Sequence, residues 1–433
     1  MLESRWRVFD KSAGFRVQQE SANQMRRSAA SPGWVVVHDS PRDHYQLPLA
    51  VAEAGLLERF VTDWYTPLDS PVWSFIARRK FSRRAFGIHS RYLRELPSSL
   101  ISDRKLQFLS GVIGRRITHE TYRDEVEGAK TGLLAAKIAN SRNAPVLATS
   151  YSAAATFAHL RGGLKKVLFQ VHPHPRFLRD LYAKLAAQDP DYSGLSLEPE
   201  ASVSEKELEQ WELESSLAEF VLCASQFSKR SLIEGGVEPE RIGVVPYGID
   251  SDLFKFGRPK KDAPFTALFV GQKVARKGPR SLVRAWKELG LRSARLIVAG
   301  GHVRDQSLLS GFEGVYEEVP RTGLRQLIEL YQQADVFVLP SVAEGFGHVY
   351  LEALSCGTPI LCTGNTGGAD VIQEGLDGWI VPVGDRAAIR DRLAWCASHR
   401  SIVQEMRESA RRTGEMHTWG RFREKIRAFL GAI

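Results

Sequence analysis

A chain of 433 residues exceeds what one hydrophobic core usually supports, so two domains are expected. With 43% hydrophobic and 25% charged residues it reads as a folded globular protein, and no run approaches the roughly 18 uncharged apolar residues of a membrane-spanning helix. The net charge of +9 suits an anionic partner: nucleic acid, a phosphate-bearing substrate or a membrane surface.

Residues 1–33 are polar and dotted with arginine, lack an apolar signal-like core, and are expected to be a poorly ordered lead-in. The first strand is expected at 34–38, followed by a helix over 45–55 that Gly55 ends, and a second strand at 60–62. The stretch 66–128 is basic and reads as an insertion. Within it Arg78, Arg79, Lys80, Arg83, Arg84, Arg91 and Arg94 interleave with Trp73, Phe75, Ile76, Phe81 and Phe86, a pattern that fits either contact with an anionic membrane surface or a solvated basic face.

Apolar strands alternating with helices resume at 145–149, 167–171, 220–223 and 242–245. Such continuous apolar strands are those of a parallel sheet covered on both faces. Residues 250–263 mix Lys, Pro, Gly and Asp and read as an interdomain linker. The alternation restarts at 267–270, 296–299, 336–339, 359–362 and 379–381. The pattern therefore predicts an α/β protein of two Rossmann-like domains, 34–250 and 262–412, with no internal repeat. Four cysteines (Cys223, Cys356, Cys362 and Cys396) form no CxxC pair and are expected as buried thiols in a reducing compartment, hence the cytoplasm.

The segment 341–352 follows an apolar strand, where ligands bind in open α/β sheets. Gly345 and Gly347 permit close approach of backbone to ligand, and a helix starting near Gly347 aims free N–H groups at the crevice, which suits a diphosphate. Glu344 lies in the loop and Glu352 on the helix; each carboxylate can accept from a vicinal diol, or be a solvated surface group. A second glycine turn, 271–278, places Arg276 and Lys277 at a helix start, again suited to a diphosphate. His172 follows the strand ending at Val171, with His174 and His44 as rivals for a role near the reacting centre. Asp189 and Asp191 have the DxD spacing of a metal site but fall in a polar loop outside the alternating pattern, so no metal is assigned.

The segment 341–352 resembles the family 4 glycosyltransferases, whose hallmark is a glutamate, seven residues and a second glutamate, with Gly-Phe-Gly after the first. Here these are Glu344, Gly345, Phe346, Gly347 and Glu352, with His348 beside them. The resemblance extends through 353–359, 367–368 and 375–385, and upstream to 223–227 and 245–250. It implies the GT-B fold, two facing Rossmann-like domains with an interdomain cleft, and a last helix within 413–433 that packs back on the N-terminal domain. It implies a retaining, metal-independent and cofactor-free transfer of a hexose-type sugar from a nucleotide-sugar donor to a glycan or lipid-linked acceptor, as in cell-surface polysaccharide synthesis. Glu344 would meet the donor hexose and Glu352 the ribose, with Gly271, Arg276, Lys277 and His172 around the diphosphate and the anomeric carbon. Gln272 stands where the family has an arginine, and Arg276 has the reach to substitute. The first-strand loop, Asp39, Ser40, Pro41 and Arg42, departs from the family's glycine pair. Two other readings share parts of this pattern: a nucleotide-sugar 2-epimerase, and a non-catalytic basic binding protein. No RNA-binding signature is present, so nucleic acid is not expected as a partner.

Overall fold

A computed structural model describes residues 32–41, 43–68, 91–104, 123–259, 262–301, 305 and 307–433, with 123–127 as backbone only. Residues 1–31 of the expected lead-in, and most of the basic segment from Trp73 to Arg94, lie outside the described residues.

The first half is built on seven strands, all parallel: β1 Trp34–Val37, β2 Leu57–Thr62, β3 Ile101–Asp103, β4 Val146–Thr149, β5 Lys166–Gln170, β6 Phe220–Cys223 and β7 Ile242–Val244. Their order is β3-β2-β1-β4-β5-β6-β7. Val36 pairs with Phe60 on one side and Leu147 on the other, so the order reverses at β1 and β4. The second half has six: β8 Phe265–Val270, β9 Ala294–Ala299, β10 Glu317–Val319, β11 Val336–Leu339, β12 Ile360–Thr363 and β13 Gly378–Val381, in the order β10-β9-β8-β11-β12-β13. It reverses at β8 and β11, where Leu268 pairs with both Ile297 and Phe337. Each half thus has its crevice at the carboxyl ends of its two switch-point strands.

The central strands are buried on both faces, which is why they read as unbroken apolar runs. In β1, Val35 and Val37 face a core shared with Ala135, Ala139 and Phe157, while Val36 joins the core that holds Phe169 and Phe422. Phe422 belongs to the last helix, Trp419–Ala432, which lies against the helix Gln46–Glu53 of the first half. There Arg423 donates to Glu53 at 3.0 Å and to Gln46, and Phe429 meets Phe220 edge-on at 5.9 Å. The chain therefore crosses between halves twice. The two crossings touch: the Ile249 N–H donates to the His417 carbonyl at 2.9 Å, and a Cβ on Gly248 would lie 2.3 Å from the Trp419 nitrogen.

Several details differ from the sequence reading. β3 and β10 were not expected; both are three-residue edge strands, β3 inside the basic stretch read as an insertion and β10 largely exposed. The helix Arg123–Arg142 begins inside that stretch as well. Arg91 is not free for a membrane: its Nη1 donates to both carboxylate oxygens of Asp63 at 2.9 Å, and its guanidinium sits over the Trp64 ring at 5.7 Å. The DxD segment is not a polar loop. Residues Pro190–Leu197 form a 3-10 helix whose Tyr192 and Leu195 are buried against Ala275, Leu308 and Val342 of the second half.

Candidate active site

Two loops of the second half converge. After β8 the chain turns through Gly271, and after β9 through Gly300, whose φ of +133° and contact with the Gly271 carbonyl leave no room for a side chain. The short 3-10 turn Ala275–Lys277 ends in Gly278 at φ +71°, tight against the Pro340 carbonyl. That contact draws the cations toward the loop after β11. The Val342 N–H donates to the Arg276 carbonyl at 2.7 Å, and Glu344 then meets both cations: Arg276 Nη1 at 3.4 Å and Lys277 Nζ in a direct ion pair. Burial pulls the Lys277 ammonium well down, and Arg276 adds to the effect while Glu198 opposes it. Gln272 is exposed at the end of β8, so the cation beside Lys277 comes from Arg276.

The loop continues through Gly345, Phe346 and Gly347 into the helix His348–Ser355, which no side chain caps, so its first N–H groups face the crevice. A Cβ on Gly345 would lie 2.4 Å from the Val171 carbonyl and 3.6 Å from the His172 Cα. Glycine there lets the Glu344 loop lie directly against the end of β5. Ser225 and Ser228 donate from the first half to the Gly345 carbonyl at 2.6 and 3.1 Å. His172 follows Val171 beside Gly345, its ring 5.6 Å from Tyr151 in an edge-on contact.

The rival histidines lie elsewhere. His174 is buried as the N-cap of the helix Pro175–Gln188; its N–H donates to Ser231 at 2.9 Å, and Gly235 closes over its ring. His44 packs edge-on to Trp419 at 6.2 Å. His348 lies between Tyr247, 4.7 Å away, and Trp419; burial, with His44 adding, pushes its ring down to about 4, so it is neutral at physiological pH. Glu352, one turn and a half into the helix, accepts from the Tyr331 hydroxyl at 2.8 Å, and burial pushes its carboxyl up to about 7.

Residues 250–413 match the family model described as Glycosyl transferases group 1. The D-inositol 3-phosphate glycosyltransferase of Acidothermus cellulolyticus is 34% identical over 176 residues, 35% of this chain and 39% of that protein. The first three curated relatives are matched over 39% to 52% of their length. Among solved structures, Anabaena Alr3699/HepE in complex with UDP-glucose superposes with a TM-score of 0.56 at 12% identity, over 93% of this chain and all of that one. WaaG, a glycosyltransferase involved in lipopolysaccharide biosynthesis, gives 0.57 at 16% identity, over 92% of this chain and 99% of that one. The architecture is the GT-B fold.

Two acidic residues of the first half enter this region, although sequence reading gave neither of them this role. Glu198 is buried and accepts from the Arg276 backbone N–H at 3.2 Å, with the Arg276 Nε 3.6 Å from its other oxygen. Asp191, its carboxylate fully enclosed, is met by Arg280 at 3.2 Å, Arg284 at 2.8 Å and Arg386 at 3.1 Å, all from the second half. Asp189 caps the turn, accepting from the Asp191 N–H at 2.9 Å. The DxD pair is thus an ionic contact between halves, ringed by guanidinium groups that would repel a metal ion. No cluster of three metal-ligating side chains occurs among the described residues, nor is any described helix long and apolar enough to cross a membrane.

Proposed function

We propose that the protein is a retaining glycosyltransferase that moves a hexose-type sugar from a nucleotide-sugar donor to a glycan or lipid-linked acceptor. The observation that carries this reading is the convergence of Arg276 and Lys277 on Glu344 at the carboxyl end of β11, with the uncapped helix start at Gly347 beside them and Gly345 set against Val171 and His172 of the first half. Breaking a sugar–phosphate bond develops negative charge on a diphosphate, and fixed cations in a low-dielectric crevice stabilise it far better than solvent does. In the donor complex the diphosphate takes over the two cations, and Glu344 is released to accept from sugar hydroxyls. Glu352 accepts from the ribose, and His172 positions the anomeric carbon from the other half. Gly271 lets the backbone approach the phosphates, and Gly345, Phe346, Gly347 and His348 shape the sugar side. The UDP-glucose complex of the Anabaena neighbour and the lipopolysaccharide role of WaaG support this donor and acceptor class.

The test is incubation with UDP-, GDP- and ADP-linked hexoses, following nucleotide release. One donor should be turned over slowly by water alone, with activity unchanged in EDTA. Lys277→Ala and Glu344→Gln should each lose about 10- to 150-fold, the worth of one charge-assisted hydrogen bond. Turnover that EDTA abolishes and magnesium restores would overturn the metal-free reading.

A further inference from the structure

The cation pair is completed from outside its own half. Lys277 is anchored by burial within the second half, whereas Arg276 is held from the first. Its backbone N–H and its Nε both face the carboxylate of Glu198, and its terminal nitrogen Nη1 points on to Glu344. Glu198 itself has little freedom. Its side chain is 5% exposed, its N–H donates to the Leu195 carbonyl at 3.1 Å, and Pro199 fixes the chain behind it. The segment that carries it is clamped to the second half by Asp191 and its three arginines, and by Tyr192 and Leu195 in the shared apolar cluster. A small cavity beside Glu198 is lined from both halves, by Gly194 and Leu197 on one side and Val274 and Leu308 on the other.

We propose that Glu198 is a positioning residue for the diphosphate clamp, holding Arg276 by Nε and main chain so that its terminal nitrogens face the leaving group only when the two halves are in contact. The inference rests on the nucleotide-sugar reading given above. An arginine has ample rotamer freedom, and one whose base is fixed loses less of it on meeting a phosphate. Glu198 also opposes the burial and the Arg276 charge that pull Lys277 toward neutrality. Both effects favour diphosphate binding. The opposing effect, a carboxylate lowering the positive potential of the site, makes the sign of the outcome decisive.

The experiment is calorimetric titration of the full chain with UDP, GDP and ADP, and with the monophosphate of whichever base binds. Lys277→Ala serves as the control for the site. Wild type should bind one diphosphate, and Lys277→Ala should weaken it. Glu198→Ala should weaken the same diphosphate about tenfold or more while leaving the monophosphate near wild type, a split that general loosening of the fold would not produce. Glu198→Gln, which keeps an acceptor for the Arg276 N–H, should recover part of the loss. The double variant Glu198→Ala/Arg276→Ala should bind like Arg276→Ala alone. Equal or tighter diphosphate binding by Glu198→Ala, equal loss of both nucleotides, or additive losses in the double variant would overturn the proposal while leaving the site reading intact. No effect of Lys277→Ala, or no nucleotide bound by wild type, would remove the site reading and the inference with it.

Discussion

Glu352 carries its proton in a range where most carboxylates have lost theirs. Burial raises it from 4.5 to about 7, and the Tyr331 hydroxyl only partly offsets that. In the unfolded chain the group ionises near its ordinary value, so between about 4.5 and 7 the folded state holds more proton than the unfolded one. Stability is therefore lost as pH rises through that window. Urea unfolding of wild type and Glu352→Gln in steps of about half a unit from about pH 4 to about pH 8 measures this contribution. The variant should gain on wild type across the window, and a constant gap would refute the assignment. The nearest-neighbour chemistry of this site was legible in the sequence: Glu344, Gly345, Gly347 and Glu352 belong to one loop and one helix, so their spacing sets their geometry. Glu198 and Asp191 were not legible, because their partners stand 78 and 89 positions away and only the packing of two halves brings them together.

Among the elements, the loop from β11 to the helix His348–Ser355 depends most on a residue that lacks a side chain. Gly345 has no left-handed backbone angle to explain it; the reason is the Val171 carbonyl at 2.4 Å from where a Cβ would stand. Gly345→Ala must push the loop off the end of β5 and stretch the hydrogen bonds from Ser225 and Ser228. Turnover should fall by more than about tenfold, since an ångström of misplacement at a reacting centre has that scale, while nucleotide affinity, which also rests on Arg276, Lys277 and Glu352 outside this loop, should change less. Comparing kcat with the dissociation constant for nucleotide separates the two; a variant with unchanged turnover would show that the contact between loop and β5 is incidental. The long central strands were readable as apolar runs, but the edge strands β3 and β10 were not. Each is three residues long, and β10 offers two exposed glutamates where a core strand would have aliphatic residues.

At the scale of the whole molecule, the contact between halves combines polar pairs with the apolar cluster around Tyr192, Leu195 and Leu308. Asp191 with Arg280, Arg284 and Arg386, Arg230 with Asn365, and the Gln226 N–H with Asp370 span it. Asp191→Ala removes the carboxylate that Arg280, Arg284 and Arg386 share; those side chains are 29%, 35% and 33% exposed and Arg386 keeps Glu288 at 3.1 Å, so the cost falls below the roughly 3–5 kcal/mol of a fully buried pair. The expected result is a more open particle, with a larger radius of gyration in solution scattering and a weaker response of that radius to added nucleotide. An unchanged radius would mean that the apolar cluster of Tyr192, Leu195 and Leu308 holds the halves without the arginines.

The twofold crossing has a consequence for how the chain is made. The first half is not a contiguous piece of polypeptide: its sheet is finished by the helix Trp419–Ala432, whose Phe422 and Phe429 cover Phe169 and Phe220. During synthesis residues 34–250 emerge early, yet the side chains that seal their outer face leave the ribosome only after the second half. For the whole time it takes to translate the second half, Phe169 and Phe220 lack this part of their native cover, and a nascent chain in that state exposes apolar surface of the kind chaperones bind. The half that is begun first is completed only after the second half has been made, and it folds to its full stability only when the helix Trp419–Ala432 has been released.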